Sequence, residues 1–135
     1  MSDAAELQER ILAFVRERDF VTFAALHKHF AGDAREETEM VLPGNRVIWA
    51  GLPLPIIEAV LALLEQGRLA SIPGNKAAYR RDGRVLNLPI ERRPALHAEP
   101  HWFPVLLRTM EAARADAAAG VDAGAGSDGG DSDER

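Results

Sequence analysis

Hydrophobic and polar positions follow helical spacing in the first half of the chain. From Asp3 to about residue 18, apolar residues recur every three or four positions with charged residues between them, which predicts an amphipathic helix. Thr22 is a good N-cap, so we predict a second helix over about 23–31 that ends at Gly32. Pro53 and Pro55 favour the first turn of a third helix over about 54–66, because a missing N–H costs little there.

Residues 33–51 carry mixed signals. Ala34–Met40 is rich in glutamate and favours a helical turn, whereas Val47–Trp49 prefers a strand. Pro43–Asn45 lies between them and is a turn signal. We therefore predict a short hairpin, or a loop followed by a strand.

Short strands are predicted after the third helix. Arg68–Ile72 and Lys76–Arg81 are separated by the turn residues Pro73, Gly74 and Asn75. Asp82 and Gly83 form a two-residue hairpin signal, and Arg84–Leu88 follows them. This pattern predicts a meander of two or three strands.

The C-terminal third is predicted to hold an extended connection, a helix and a tail. Three prolines mark the connection, and residues from His101 to about Ala118 have the apolar spacing of a last helix. From about residue 119 the chain is rich in Gly, Ala, Ser and Asp, with Val121 as its only large apolar residue. Such a segment cannot bury enough surface to offset its ordering entropy, so we predict disorder. The tail serves either as a solubilising end or as an acidic strip that competes with nucleic acid or docks a partner.

Acidic and basic residues are concentrated in different segments of the chain. The 135 residues carry a net charge of −5, but residues 116–135 alone hold six acidic residues and one basic residue. Residues 1–67 hold eleven acidic and six basic residues, whereas residues 68–98 hold seven basic and two acidic ones. The predicted meander and connection therefore form a basic region on a body that is neutral overall.

The order of helix, short strand, helix, third helix and hairpin resembles a winged-helix domain over about residues 3–88. The segment from Ile56 to Asp82 looks like its second half, with Glu65-Gln66-Gly67-Arg68-Leu69 between helix and hairpin and Tyr79-Arg80-Arg81-Asp82-Gly83 at the hairpin end. The resemblance implies that the third helix reads DNA and that the hairpin is the wing. It implies an α+β fold of three helices and a small antiparallel wing. To this the sequence pattern adds an extra C-terminal helix and a disordered acidic tail.

The third helix departs from that family pattern. Its least apolar positions include Glu58, Glu65 and Gln66, and no basic residue lies beside them. DNA phosphates favour Arg and Lys, so we expect the wing rather than this helix to contact nucleic acid through phosphates or the minor groove. The candidate nucleic-acid-binding residues are Lys76, Tyr79, Arg80, Arg81, Arg84, Arg92 and Arg93. The alternative is a solvated hairpin whose cations pair with the acidic first half.

A second hypothesis is an interface with another element or another subunit, because the third helix has more apolar residues than one buried stripe requires. Ile56 and Leu63 widen the apolar face of the third helix, and Trp102 with Phe103 stands at the start of the predicted last helix. We predict that this helix packs on the body or on a partner. The candidate interface residues are Ile56, Leu63, Trp102, Phe103 and Leu106. Core packing is the alternative for both tryptophans, Trp49 and Trp102.

Catalytic and metal-binding patterns are missing from the sequence. There is no cysteine, which excludes disulfides and thiolate metal sites. His27 and His29 are two residues apart and diverge on a helix, and Pro100 argues against a shared helix for His97 and His101. We expect no metal, no cofactor and no enzyme activity, and we expect neither a secretory signal nor a membrane span.

These observations favour a cytoplasmic protein divided into residues 1–90 as a winged-helix-like domain, 91–118 as connection and helix, and 119–135 as tail. The expected function is DNA binding by a regulator of transcription or an accessory factor, gripping through a basic wing. The alternative is a non-enzymatic winged-helix adaptor that forms a homodimer or binds another protein, without DNA.

Overall fold

A computed structural model describes residues 3–90 and 98–119, and within them the chain forms five helices and six strands. The helices are α1 (Asp3–Arg18), α2 (Phe23–Ala31), α3 (Leu54–Glu65), α4 (Lys76–Arg81) and α5 (Met110–Ala118). The strands are β1 (Val21–Thr22), β2 (Glu39–Leu42), β3 (Arg46–Ala50), β4 (Leu69–Pro73), β5 (His101–Trp102) and β6 (Val105–Thr109).

The first three helices confirm the predictions from hydrophobic spacing. Helix α1 buries Ile11 and Val15, and it packs against α3. Helix α2 begins at the predicted cap, because the Thr22 side chain accepts a hydrogen bond from the Ala25 N–H at 2.9 Å. Helix α3 has Pro55 in its first turn and buries Val60 and other apolar residues along one side.

The first sheet has the strand order β1-β6-β4, and both pairings are antiparallel. Strand β6 is central: Leu107 lies opposite Val21 of β1 on one side and opposite Ser71 of β4 on the other. Strands β4 and β6 therefore pair across the whole segment 74–104. The sheet joins the end of α1 to the C-terminal third of the chain.

The second sheet has the order β2-β3-β5 and confirms the hairpin predicted within residues 33–51. Strands β2 and β3 are antiparallel around the turn at Pro43–Asn45, with Met40 opposite Trp49. The helical turn expected over Ala34–Met40 is not formed: the Glu36 N–H donates to the Gly51 carbonyl, which extends the hairpin instead. Strand β5 adds in parallel, with Val47 opposite Trp102.

The helix predicted from His101 to Ala118 is wrong over its first nine residues. That stretch forms β5 and β6, and the helix begins only at Met110, where the Thr109 side chain accepts a hydrogen bond from the Ala112 N–H at 3.1 Å. Leu106 and Leu107 pair with two neighbouring strands, and this tertiary pairing outweighs the helical spacing of the apolar residues. Pro104 also lacks the N–H that a helix interior requires.

The meander predicted after α3 is also wrong beyond its first strand. Lys76–Arg81 is α4, and Arg84–Leu88 forms no strand. Asn75 caps α4 and two alanines favour helix at its start, so Asp82 and Gly83 end a helix instead of turning a hairpin. Gly83 has a φ of 98°, a value that suits glycine after a helix.

One hydrophobic core joins both sheets and helices α1, α2, α3 and α4. Its largest fully buried side chains include Trp49, Trp102, Tyr79, Phe23 and Ile11. The α+β class is therefore confirmed. No helix among the described residues is long and apolar enough to cross a membrane.

Candidate nucleic-acid interface

Helix α4 is a short basic helix that lies between β4 and β6 in the chain. The Asn75 side chain caps it by accepting from the Ala78 N–H at 2.8 Å. Ala78 and Tyr79 are buried, whereas Lys76, Arg80 and Arg81 are exposed. The helix thus has one face in the core and one basic face toward solvent.

Tyr79 anchors α4 in the core. Its hydroxyl donates to the Val105 carbonyl at 2.6 Å and accepts from the Phe23 N–H at 3.1 Å. The ring lies 5.3 Å from that of Trp49 and 5.0 Å from that of Trp102, and burial raises the pKa of Tyr79 above its ordinary value. Tyr79 is fully buried, which corrects the expectation that it is one of the nucleic-acid-binding residues.

A second contact holds the C-terminal end of α4. The Asp82 carboxylate accepts from the Thr22 hydroxyl at 2.7 Å. Asp82 is thus already engaged with the start of α2. Two attachments, one at Tyr79 and one at Asp82, fix the direction in which the basic face points.

The basic face of α4 has no partner among the residues that the structure describes. Within residues 3–90 and 98–119, the side chains of Lys76, Arg80 and Arg81 make no ion pair, hydrogen bond or ring contact. The alternative that these cations pair with the acidic first half of the chain is therefore not seen in the described residues. Three exposed cations on one fixed helix suit contacts with phosphates.

Two arginines outside α4 show the contrast. Arg108 of β6 binds both carboxylate oxygens of Asp19 at 2.9 Å and an Asp116 oxygen at 2.7 Å. The Arg108 guanidinium lowers the pKa of the Asp19 carboxyl. Arg68 forms an ion pair with Glu9 at 2.9 Å, and its hydrogen bond lowers the pKa of that carboxyl. These two arginines join elements of the fold and have their charges compensated.

Arg84 lies half-buried beyond α4, not at the tip of a wing. Its guanidinium carbon lies 4.7 Å from the centre of the Trp49 ring. The Nη2 atom donates to the Ala50 carbonyl at 3.2 Å, and Nη1 lies 3.3 Å from Nδ1 of His27. The His27 Nε2 atom lies 2.7 Å from the Ala34 carbonyl and the Trp49 Nε1–H donates to Nδ1, so the neutral ring with its proton on Nε2 fits these contacts.

Arg35 is the neighbour of Arg84 across Gly51. A Cβ built on Gly51 would lie 3.5 Å from Nη2 of Arg84 and 3.8 Å from Cβ of Arg35. Burial, followed by the positive charge of Arg35, lowers the pKa of Arg84 below its ordinary value. Both arginines line an open concavity of about 560 Å³.

Helix α3 exposes different chemistry. Ile56 and Leu63 are 5% and 0% exposed, so both lie in the core of this chain rather than on a partner surface. The exposed positions are Leu54, Pro55, Glu58, Leu61 and Glu65, and the spacing of the two leucines and two glutamates places them on one side of the helix. This side has no basic residue.

The other expected interface residues also pack within the chain. Trp102 is fully buried, which confirms core packing for it as for Trp49, and its indole N–H has no hydrogen-bond partner in the described structure. Phe103 is half-buried beneath the guanidinium of Arg46, which lies 5.7 Å from its ring centre. Leu106 is half-buried against Gly74. The helix expected to present them does not form there.

Some predicted features lie outside the described residues. They are Arg92, Arg93 and the acidic tail beyond residue 119. In the part of the chain that is described, no group of three His, Asp or Glu side chains is arranged to hold a metal ion.

The cluster of His27, Arg35 and Arg84 was missed by sequence reasoning. These residues are far apart in the chain and meet only because α2, the β2–β3 hairpin and the end of α4 pack together. No local spacing indicates such a contact. The basic count of residues 68–98 did draw attention to Arg84, but not to Arg35.

The chain was compared with protein-family models, with curated proteins and with solved structures, and nothing matches in any of the three.

Proposed function

We propose that this chain is a small winged-helix protein that binds duplex DNA, with α4 as the element that contacts phosphates. The observation that carries the proposal is the set of exposed cations Lys76, Arg80 and Arg81, which pair with no described residue and stand on a helix fixed to the core by Tyr79. Binding of this kind positions a protein on the DNA backbone and carries little base specificity by itself.

The arrangement of elements supports the winged-helix part of the proposal. Three helices precede the β4–β6 pair, and the short strand β1 after α1 joins that pair at β6. Helix α4 lies between β4 and β6, where a winged helix has its wing. The β2–β3 hairpin between α2 and α3 is an addition to that pattern.

The charges of the two helices favour α4 over α3 as the DNA contact. The exposed side of α3 carries Glu58 and Glu65, which the phosphate backbone would repel. Helix α4 carries three cations with no carboxylate paired to them in the described residues. DNA contact through α3 would therefore bring these two carboxylates close to the negatively charged phosphates.

A gel-shift titration with random duplex DNA tests the proposal. The variant Lys76→Ala/Arg80→Ala/Arg81→Ala is expected to bind about 100-fold more weakly than the parent chain, because it removes three charged donors to phosphates. The control is Arg16→Ala/Arg18→Ala/Arg114→Ala, which removes the same charge from exposed positions on α1 and α5. Equal binding by the two triple variants would contradict α4 as the contact.

A protein-interaction adaptor is a second candidate, favoured by one observation. Leu54 and Leu61 are 49% and 50% exposed and stand seven residues apart on α3, so they form an apolar stripe. This stripe replaces the buried Ile56 and Leu63 as the surface that the adaptor hypothesis requires.

Light scattering separates the two candidates. An adaptor that dimerises through the stripe gives a dimer mass for the parent chain and a monomer mass for Leu61→Glu, with no DNA affinity in either. A monomer mass for both chains, together with a gel shift by both, favours the DNA-binding function.

A further inference from the structure

We propose that Arg35 and Arg84 bind a phosphate group in the concavity that they line beside Gly51. The ligand is a free phosphorylated compound or a phosphate of a nucleic acid strand. The proposal does not depend on DNA binding by α4.

Arg84 is held in place, but no described residue neutralises its charge. Its guanidinium is fixed by the Trp49 ring, by the Ala50 carbonyl and by Nδ1 of His27, and none of these three groups carries a negative charge. No carboxylate forms an ion pair with it among the described residues. A half-buried charge without a counter-ion costs free energy, so an anion that neutralises it is stabilised there.

Arg35, which carries a like charge, lies next to Arg84 at Gly51. Arg35 makes no hydrogen bond or ion pair in the described part of the chain, and its positive charge adds to the effect of burial in lowering the pKa of Arg84. Both side chains lie beside Gly51, and their positive guanidinium groups repel each other when no anion lies between them. A phosphate, with several acceptor oxygens, satisfies donors from both groups at once.

Gly51 keeps the backbone close to both arginines. Its φ of 91° is a value that side chains rarely adopt, and a Cβ there would contact Arg84 and Arg35. The Gly51 N–H donates to the Thr38 carbonyl and its carbonyl accepts from the Glu36 N–H. The ligand contacts therefore come from the guanidinium groups and not from this peptide.

Three glutamates also line the concavity, but none of them neutralises the arginines. The Glu36 carboxylate accepts from the Leu54 N–H at 3.1 Å, at the start of α3. Glu37 and Glu39 are exposed and form no ion pair with either guanidinium in the structure described here. Their negative charges reduce the affinity of the concavity for an anion, but their carboxylates do not bind the two guanidinium groups in the described structure.

Calorimetric titration of the full chain with sodium phosphate tests the site, with sodium chloride at equal ionic strength as the reference. The parent chain is expected to give saturable binding with a midpoint of about 1 mM. Arg35→Gln is expected to raise that midpoint about tenfold, because it removes one of the two charged partners. Arg35 is exposed and unbonded in the described chain, so this variant keeps the fold.

Arg16→Gln is the matched control, because it removes one exposed arginine that lies on α1. It is expected to bind phosphate as the parent chain does. Heat that does not exceed the chloride reference, or equal weakening in Arg35→Gln and Arg16→Gln, overturns the proposal.

The source of the phosphate is decided by duplex DNA. Weaker duplex binding by Arg35→Gln, in parallel with weaker phosphate binding, assigns the site to a backbone phosphate. Unchanged duplex binding with weaker phosphate binding assigns it to a free phosphorylated compound. A failure of α4 to bind DNA appears separately, as equal duplex binding by the two triple variants.

Discussion

Helix α3 exposes leucine and glutamate, whereas helix α4 exposes lysine and arginine, although ten residues separate the two helices in the chain. Helix α3 is 12 residues long and buries five apolar side chains, so it is a structural helix. Helix α4 is only six residues long and is fixed mainly by Tyr79 and by the contact of Asp82 with Thr22. The longer helix thus builds the core, and the shorter helix presents the charge.

This difference shows why the position of a helix in a fold does not decide what it binds. A helix can enter a DNA groove only if its exposed side chains tolerate phosphates. In this chain the third helix fails that condition, and α4 meets it. Substitutions in either helix test this difference.

The largest expected effect is on the free energy of unfolding, when a glutamate is placed on the buried side of α3 instead of its exposed side. Leu63 is fully buried, so Leu63→Glu places a carboxylate in the core and is expected to lower the free energy of unfolding by about 4 kcal/mol or more. Leu61 is half exposed, so Leu61→Glu is expected to change it by less than about 0.5 kcal/mol. Urea denaturation followed by circular dichroism measures both. A folded Leu63→Glu chain with altered oligomeric state would instead favour a partner interface.

The next effect concerns the attachment of α4. Tyr79→Phe leaves the buried Phe23 N–H without its acceptor, and it is expected to lower the free energy of unfolding by about 1–3 kcal/mol. Arg81 lies two residues after Tyr79 but on the exposed side of α4. Arg81→Ala is therefore expected to change the free energy of unfolding by less than about 0.5 kcal/mol. Urea denaturation of the two variants gives the comparison. Equal stability of Tyr79→Phe and the parent chain would show that the hydroxyl does not anchor the helix.

A smaller effect distinguishes a paired arginine from those of α4. Asp19→Asn keeps a residue type that tolerates the φ of 56° but removes the ion pair with Arg108. We expect a decrease in the free energy of unfolding of about 1–2 kcal/mol at neutral pH, since the carboxylate is partly exposed.

The pH dependence of this decrease has a definite sign. Arg108 lowers the pKa of Asp19 in the folded chain, so the stabilisation is present above the ordinary carboxyl pKa and disappears as the pH falls through the lowered pKa. The stability difference between Asp19→Asn and the parent chain, measured by urea denaturation, should therefore shrink in acid. A difference that is constant from about pH 7 to about pH 2 would contradict this origin.

The sequence predicted the elements that local signals control. The Thr22 cap, the apolar spacing of α1 and the turn at Pro43–Asn45 all act within a few residues, and the structure has these elements as predicted. The region after Pro73 was predicted wrongly, because β4 pairs with β6 across about thirty residues and not with its sequence neighbours. Asp82 and Gly83 then suit a helix end as well as a hairpin turn.

The candidate site was predicted in part for the same reason. Charge counting located a basic region, and Lys76, Arg80 and Arg81 lie exposed within it. Counting could not show that Tyr79 faces the core or that Arg84 lies over Trp49, because both depend on long-range packing. Arg35 belongs to the acidic half of the chain, and no sequence pattern marks it as part of a site.

The most direct test of α4 as the DNA contact is the salt dependence of duplex binding. The logarithm of the binding constant is plotted against the logarithm of the salt concentration for the parent chain and for Lys76→Ala/Arg80→Ala/Arg81→Ala. We predict that the slope becomes shallower by about three units, because each of the three cations neutralises one phosphate in the parent complex. An unchanged slope for the triple variant, with duplex binding as strong as that of the parent chain, would contradict α4 as the DNA contact.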